Sequence, residues 1–124
     1  MLQRPDPFSA QCPTRQVLDR IGDKWAVLIL IMLDRETLRF NELRRRIESI
    51  SQKMLSQTLK SLERDGLVRR EVFPTVPVTV EYSLTELGRT LAATVQALTL
   101  WAESHIGAVQ EAQRRYDRGE TRLL

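Results

Sequence analysis

Gln52, Lys53, Ser56, Gln57 and Lys60 place five hydrogen-bonding side chains within one short stretch. On a helix, at about 100° per residue, Lys53, Gln57, Lys60 and Arg64 gather on one side and Ser56 lies beside them. Leu55, Leu59 and Leu62 form a ridge on the opposite side. Amide, hydroxyl and ammonium groups so arranged are the types that hydrogen-bond base edges and phosphates in a major groove, which admits a helix. For an isolated stretch, a solvated surface helix explains the same pattern, so the flanking elements must decide.

Ser51 is a suitable N-cap and Gly66 a suitable residue just past the end of this helix. Upstream, residues 1–11, with Pro5 and Pro7, read as a flexible arm. Cys12-Pro13 opens a short helix with Val17, Leu18 and Ile21 as its apolar face, and Gly22 ends it. Asp23 caps a second helix, Lys24 to Leu33, whose unbroken hydrophobicity implies burial, with Trp25 as a core anchor. Leu38-Arg39-Phe40 is a candidate strand. Asn41 would cap a third helix, Glu42 to Ile47, with Leu43 and Ile47 inward and Arg44, Arg45 and Arg46 fanned outside. Only Glu48-Ser49-Ile50 separates it from the polar-faced helix, a linker of helix-turn-helix length.

Downstream, Leu67 to Phe73 and Val78 to Leu84 alternate apolar and polar residues, the second with Val78, Val80, Tyr82 and Leu84 on one face. Pro74-Thr75-Val76-Pro77 lies between them, so the pair is a hairpin, a wing beside the helix-turn-helix. Arg69 and Arg70 at its base either reach a nucleic-acid backbone or are solvated strand residues. Thr85 caps a last helix of some 25 residues, roughly 37 Å long. Its apolar or small positions recur at Leu91, Val95, Leu98, Ala102, His105 and Val109, widened by Leu87, Trp101 and Ile106. Packing on the domain's own core accounts for part of this stripe; the remainder points to an identical chain in two-fold symmetry. The expected fold is α+β, mainly α: a winged helix-turn-helix with a two-stranded wing and a long C-terminal dimerisation helix. It divides into the arm 1–11, a DNA-binding domain 12–109 and a polar, fraying tail 110–124, with Thr121 to Leu124 disordered.

The chain's 124 residues suit one domain, and 42% hydrophobic with 28% charged residues describe a globular protein. The longest apolar run, Trp25 to Leu33, is nine residues, against the roughly 20 that span a bilayer. No membrane contact is expected, and the cytoplasm is the expected location. Net charge is only +3, but Arg35 to Arg70 holds ten basic residues against five acidic, a local +5 that leaves −2 elsewhere. That is the footprint of a polyanion-binding segment. One cysteine, Cys12, and one histidine, His105, exclude a disulfide within the chain and argue against a structural zinc site. No phosphate loop, nucleophile elbow or carboxylate-rich motif is present, so neither enzymatic catalysis nor a cofactor is expected.

Taken together, Cys12-Pro13, Ile21-Gly22-Asp23-Lys24-Trp25, Arg39-Phe40-Asn41-Glu42-Leu43, Ile50 to Leu55, Leu62 to Val68 and Val80 to Gly88 resemble the HxlR-type winged-helix transcriptional regulators of bacteria and archaea. The resemblance runs from Cys12 to about His105. It implies homodimers on two-fold-related operators, the helix from Ser51 in the major groove, the wing near the minor groove, and dimer contacts through both terminal helices. Glu36-Thr37 replaces a common Gly-Pro, Phe73 a common Tyr, and Val78 a common proline; these touch a turn and the wing tip. Some relatives use the cysteine equivalent to Cys12 to sense oxidants or electrophiles. A thiol at a helix N-terminus, with Arg15 one turn on, should have a depressed pKa, although free cysteine is also a common small buried hydrophobe.

The expected assignment has Gln52, Lys53, Ser56, Gln57 and Lys60 facing bases, and Arg44, Arg45, Arg46, Arg64, Arg69 and Arg70 on phosphates. Val17, Leu91, Val95, Leu98, Trp101, Ala102, His105 and Val109 make the dimer interface, and Cys12 is a candidate redox sensor. Competing readings are a protein-interaction module, and a regulator sensing a small molecule in a pocket between the long terminal helix and the core near Trp25 or Trp101; the expected effector is an unknown small molecule or electrophile.

Overall fold

In the computed structural model, which describes residues 6, 8, 9 and 11–120, the order is α1 (Pro13–Gly22), α2 (Lys24–Arg35), β1 (Leu38–Arg39), α3 (Phe40–Arg46), α4 (Gln52–Arg64), β2 (Val68–Phe73), β3 (Thr79–Leu84) and α5 (Glu86–Asp117). The flexibility expected of residues 1–11 falls largely, and the disorder expected of Thr121 to Leu124 wholly, outside the described residues. This is the winged helix-turn-helix expected from the sequence.

α2 is the centre. The Asp23 carboxylate accepts the Trp25 and Ala26 backbone N–H groups at 2.9 and 3.4 Å, fixing its first turn. Ala26, Ile29, Leu30 and Leu33 are buried, and α1, α4, β3 and the first part of α5 pack around them. Trp25 is only half-buried at the margin of this core, with Lys24 Nζ 4.6 Å from its ring centroid. α1 departs further from expectation: none of its residues is buried, and Val17 and Leu18 remain open to solvent.

The wing is the antiparallel β2–β3 hairpin, pairing Val68 with Leu84 and Phe73 with Thr79. β1 joins it on the far side of β3, Leu38 opposite Tyr82, giving the order β1-β3-β2 and tying α3 to the wing. Tyr82 and Leu84 face the core, whereas Val78 lies exposed before the strand begins. α3 also starts earlier than expected. Its N-cap is Arg39, not Asn41, because Leu38-Arg39 is held extended against β3 and the Glu42 carboxylate reaches back to the Arg39 N–H at 2.9 Å.

The end of α4 and the start of α5 are locked together. Gly66, at φ +75°, turns the chain where a Cβ would be strained, and the Gly66 and Leu67 N–H groups close onto the carbonyls of Glu63 and Leu62, each at 3.0 Å. The Thr85 hydroxyl donates to the Gly66 carbonyl at 2.6 Å and accepts the Gly88 N–H at 3.0 Å. A Cβ on Gly88 would stand 2.0 Å from the Leu67 carbonyl oxygen, so only glycine allows this approach.

α5 has 32 residues, about 48 Å by helical rise and longer than expected. It continues to Asp117, seven residues past Gln110, so helix replaces the fraying expected there; ion pairs from Arg114, Arg115 and Arg118 to Glu111 tie these last turns. Gly88, Ala92 and Val95 are buried, but every residue from Leu100 to Gln110 is exposed. Among the described residues no helix is long and apolar enough to cross a membrane, and no cluster of His, Cys, Asp and Glu converges as metal ligands would.

Candidate nucleic-acid interface

α4 is fixed at both ends and along one side. The Ser51 hydroxyl accepts the Met54 N–H at 3.0 Å, and the tight entry turn is made by Ser49 at φ +73°. Leu55, Leu59 and Leu62 are almost wholly buried, as the ridge required. Thr58 joins them, a polar residue unforeseen in the core; its hydroxyl donates to the Met54 carbonyl at 2.7 Å, which removes the cost of burying it. With those four positions inward, Gln52, Lys53, Gln57, Lys60 and Arg64 are exposed and Ser56 is half-buried. Met54, on the flank, is exposed as well.

The candidate phosphate contacts do not form one uniform set. Arg44, Arg45, Arg64, Arg69 and Arg70 are exposed, and among the described residues none of these five enters an ion pair. Arg46 does: its Nη1 lies 2.6 Å from Glu36 Oε1, so part of its charge is already neutralised. Arg69 lies opposite Ser83 and Arg70 opposite Tyr82, so their side chains leave opposite faces of the wing. Thr37, Arg39, Asn41, Glu42, Arg45 and Glu81 surround a polar cleft of about 580 Å³ beside the wing. Arg39, exposed there on β1, belongs to the motif that carried the family resemblance but was not among the expected phosphate contacts.

The expected interface residues also divide. Val95 is fully enclosed by the chain's own core, packed with Ala92 near α2, and has no surface left for a partner. Leu91 is half-buried against the same core. Val17 and Leu98, each 52% exposed, and Trp101, 57% exposed, remain uncovered with Ala102, His105, Ile106 and Val109. His105 stacks on Trp101 at 4.6 Å between centroids, and its Nδ1 lies 2.8 Å from the Trp101 carbonyl oxygen.

Cys12 is buried, at 8% exposure, in the N-cap position of α1. Burial works against the thiolate, but contacts with the Thr14 side chain and with the backbones of Thr14, Asp6 and Arg15 outweigh it, and the pKa lies below its ordinary value. The Arg15 guanidinium is directed instead to the Phe8 carbonyl, at 3.4 Å. A cavity of about 530 Å³ does lie against the long terminal helix, between α1, Leu67 and the first turns of α5, and neither Trp25 nor Trp101 lines it. Its edge carries the ion pair of Arg20 with Asp65, whose partners are 45 residues apart and could not be paired from sequence.

The model of the HxlR-like helix-turn-helix family matches residues 20–110. YtfH of Escherichia coli (strain K12), an uncharacterized HTH-type transcriptional regulator, is 45% identical over 108 residues, covering 87% of this chain and 86% of its own. The structure of ytfH from Salmonella typhimurium is 43% identical and superposes with a TM-score of 0.84 over 90% of this chain and 100% of that one. The redox regulator HypR in its oxidized form is 48% identical, with a TM-score of 0.70 over 75% and 96% of the two chains.

Proposed function

Since this chain belongs to the HxlR-like helix-turn-helix family, whose members are DNA-binding transcriptional regulators and not enzymes, we propose that it acts in the cytoplasm as a homodimer recognising inverted-repeat operators in double-stranded DNA. The observation that carries this reading is the face of α4: Gln52, Lys53, Gln57 and Lys60 lie open on a helix whose other side is anchored by buried leucines. These residues, with Ser56 at the margin, read bases. Arg44, Arg45 and Arg64, with Arg69 and Arg70 on the two faces of the wing, hold phosphates, and Arg46 contributes once released from Glu36. The uncovered apolar strip of Leu98, Trp101, Ala102, His105 and Val109, with Val17 and Leu91, pairs with its copy about a two-fold axis.

The reading includes a response to oxidants or electrophiles through Cys12, supported by its lowered pKa and by similarity to HypR. As the chain's only cysteine, it can form a disulfide only with a thiol on another molecule.

Selection of bound sequences from random duplex DNA, with reduced and with peroxide-treated protein, tests these points together. The expected result is an inverted repeat with half-sites about one helical turn, roughly 34 Å, or a multiple apart, and a changed yield after oxidation that Cys12→Ser removes. With roughly 6–10 phosphates neutralised, affinity falls about 10³–10⁵-fold between 50 and 200 mM salt. A flat salt response or enrichment of unpaired half-sites contradicts the arrangement.

A further inference from the structure

The edge of α4 carries an apolar side chain that its own fold does not cover. Leu55, Leu59 and Leu62 are buried, as is Leu43 of α3, whereas Met54 is 38% exposed; among the described residues it is the only large hydrophobic side chain of α3 or α4 left so open. It is the third residue of α4, one turn before Gln57 and about 60° around the helix from it. At that spacing the two Cβ atoms stand roughly 5–6 Å apart, so both side chains meet neighbouring groups of whatever lies against them. The Met54 backbone is pinned on both sides: its N–H donates to the Ser51 hydroxyl at 3.0 Å, and its carbonyl accepts the Thr58 hydroxyl at 2.7 Å. Its unbranched thioether chain stays adaptable. A single exposed hydrophobe is ordinary on a protein surface. This one sits in the first turn of the helix proposed to enter the major groove, and in a helix-turn-helix the N-terminal residues of that helix contact base edges. Among the four bases that groove offers one apolar group, the C5 methyl of thymine.

We propose that Met54 is a specificity-determining residue that covers the C5 methyl of one thymine in each half-site, on the base pair read by Gln57 or the pair next to it. Gln57 and its polar neighbours select by hydrogen bonds. Met54 selects by taking a methyl group out of water, and so disfavours a cytosine, which has only hydrogen at C5. This role rests on the regulator reading above.

The test uses the full-length protein and the inverted repeat that selection yields, with each thymine in turn replaced by deoxyuridine at the matching position of both half-sites. Deoxyuridine keeps every hydrogen-bonding group of thymine and lacks only the methyl. Fluorescence anisotropy at constant salt is expected to show one position where the replacement weakens binding roughly fourfold per half-site, the scale of one buried methyl group, hence about 15-fold for the symmetric pair. That position lies within one base pair of the one whose preference changes in Gln57→Ala. Met54→Gln, similar in length but polar, and Met54→Ala, which is too short to reach, both lose the penalty, whereas Met54→Leu retains it. An operator in which no thymine shows the penalty, a penalty that persists in Met54→Gln and Met54→Ala, or one that falls farther from the Gln57 position overturns the proposal. Selection that enriches no sequence sinks the regulator reading and this role with it; a well-bound inverted repeat indifferent to its thymine methyls sinks this role alone.

Discussion

α4 and the second half of α5 are both amphipathic helices, yet the chain completes one and leaves the other open. In α4 every inward position is filled, Leu55, Leu59 and Leu62 almost wholly buried and Thr58 satisfied, and what remains outside is polar and cationic. In α5 the inward positions end at Val95, and from Leu98 to Val109 the apolar side chains face water. A completed helix with an open charged face has nothing further to gain from burial, and its natural partner is a polyanion. An open apolar face gains by covering itself, and its natural partner is apolar.

The sharpest way to break this contrast is to shorten one leucine on each helix. Leu59→Ala removes a side chain that is 1% exposed and should destabilise the fold by about 2–5 kcal/mol. Leu98→Ala, at 52% exposure, should change the stability of dilute protein by less than about 0.5 kcal/mol. Urea unfolding at matched concentration measures both. Equal losses would mean that the chain itself covers the outer half of α5.

A charge on the open strip tests its partner. Leu98→Asp combined with Ile106→Asp should weaken dimerisation by roughly 2 kcal/mol or more, some 30-fold, with helix content unchanged. Sedimentation equilibrium beside circular dichroism reads this; an unaltered mass would show that the strip is not where copies meet.

How much of this was legible depended on whether the signal was local. The caps Asp23, Ser51 and Thr85, the turn at Gly66 and the leucine ridge of α4 act within one or two turns of helix, and all lie where the sequence placed them. Readings that depended on distant chain were the ones that moved. Arg39 rather than Asn41 begins α3 because β1 pairs with a strand more than 40 residues on. Val95 shares the spacing of Leu98, but only the position of α2 decides that one is core and the other surface. Arg46 meets Glu36 across a turn and Arg20 meets Asp65 across half the domain, pairings that charge alone does not specify. The opposed faces of Arg69 and Arg70 were implicit in strand alternation once the register with Ser83 and Tyr82 was known.

The polar side of the contrast sharpens with a paired substitution. Gln57→Ala removes an exposed amide from the centre of the α4 face and should cost about 1–3 kcal/mol of discrimination at one position in each half-site. Arg45→Ala should instead lower affinity for all sequences alike and make the logarithmic salt dependence about one contact per half-site shallower. Binding to a panel of single-base operator variants separates them; uniform weakening by Gln57→Ala would make it a positioning contact.

The smallest effect concerns how α4 is held. Ser51→Ala loses the bond to the Met54 N–H and should cost about 1 kcal/mol of stability, whereas Ser51→Gly, a tolerable N-cap, should cost only a few tenths. Ser51 is itself exposed at the start of the helix proposed to face DNA, so its hydroxyl has two available roles. If it serves only as a cap, affinity for DNA should follow stability, falling with Ala and largely persisting with Gly, because the fraying of Gln52 and Lys53 is what weakens binding. Equal affinity losses for the two variants, despite their unequal stabilities, would assign the hydroxyl to the DNA and leave the cap as its lesser role.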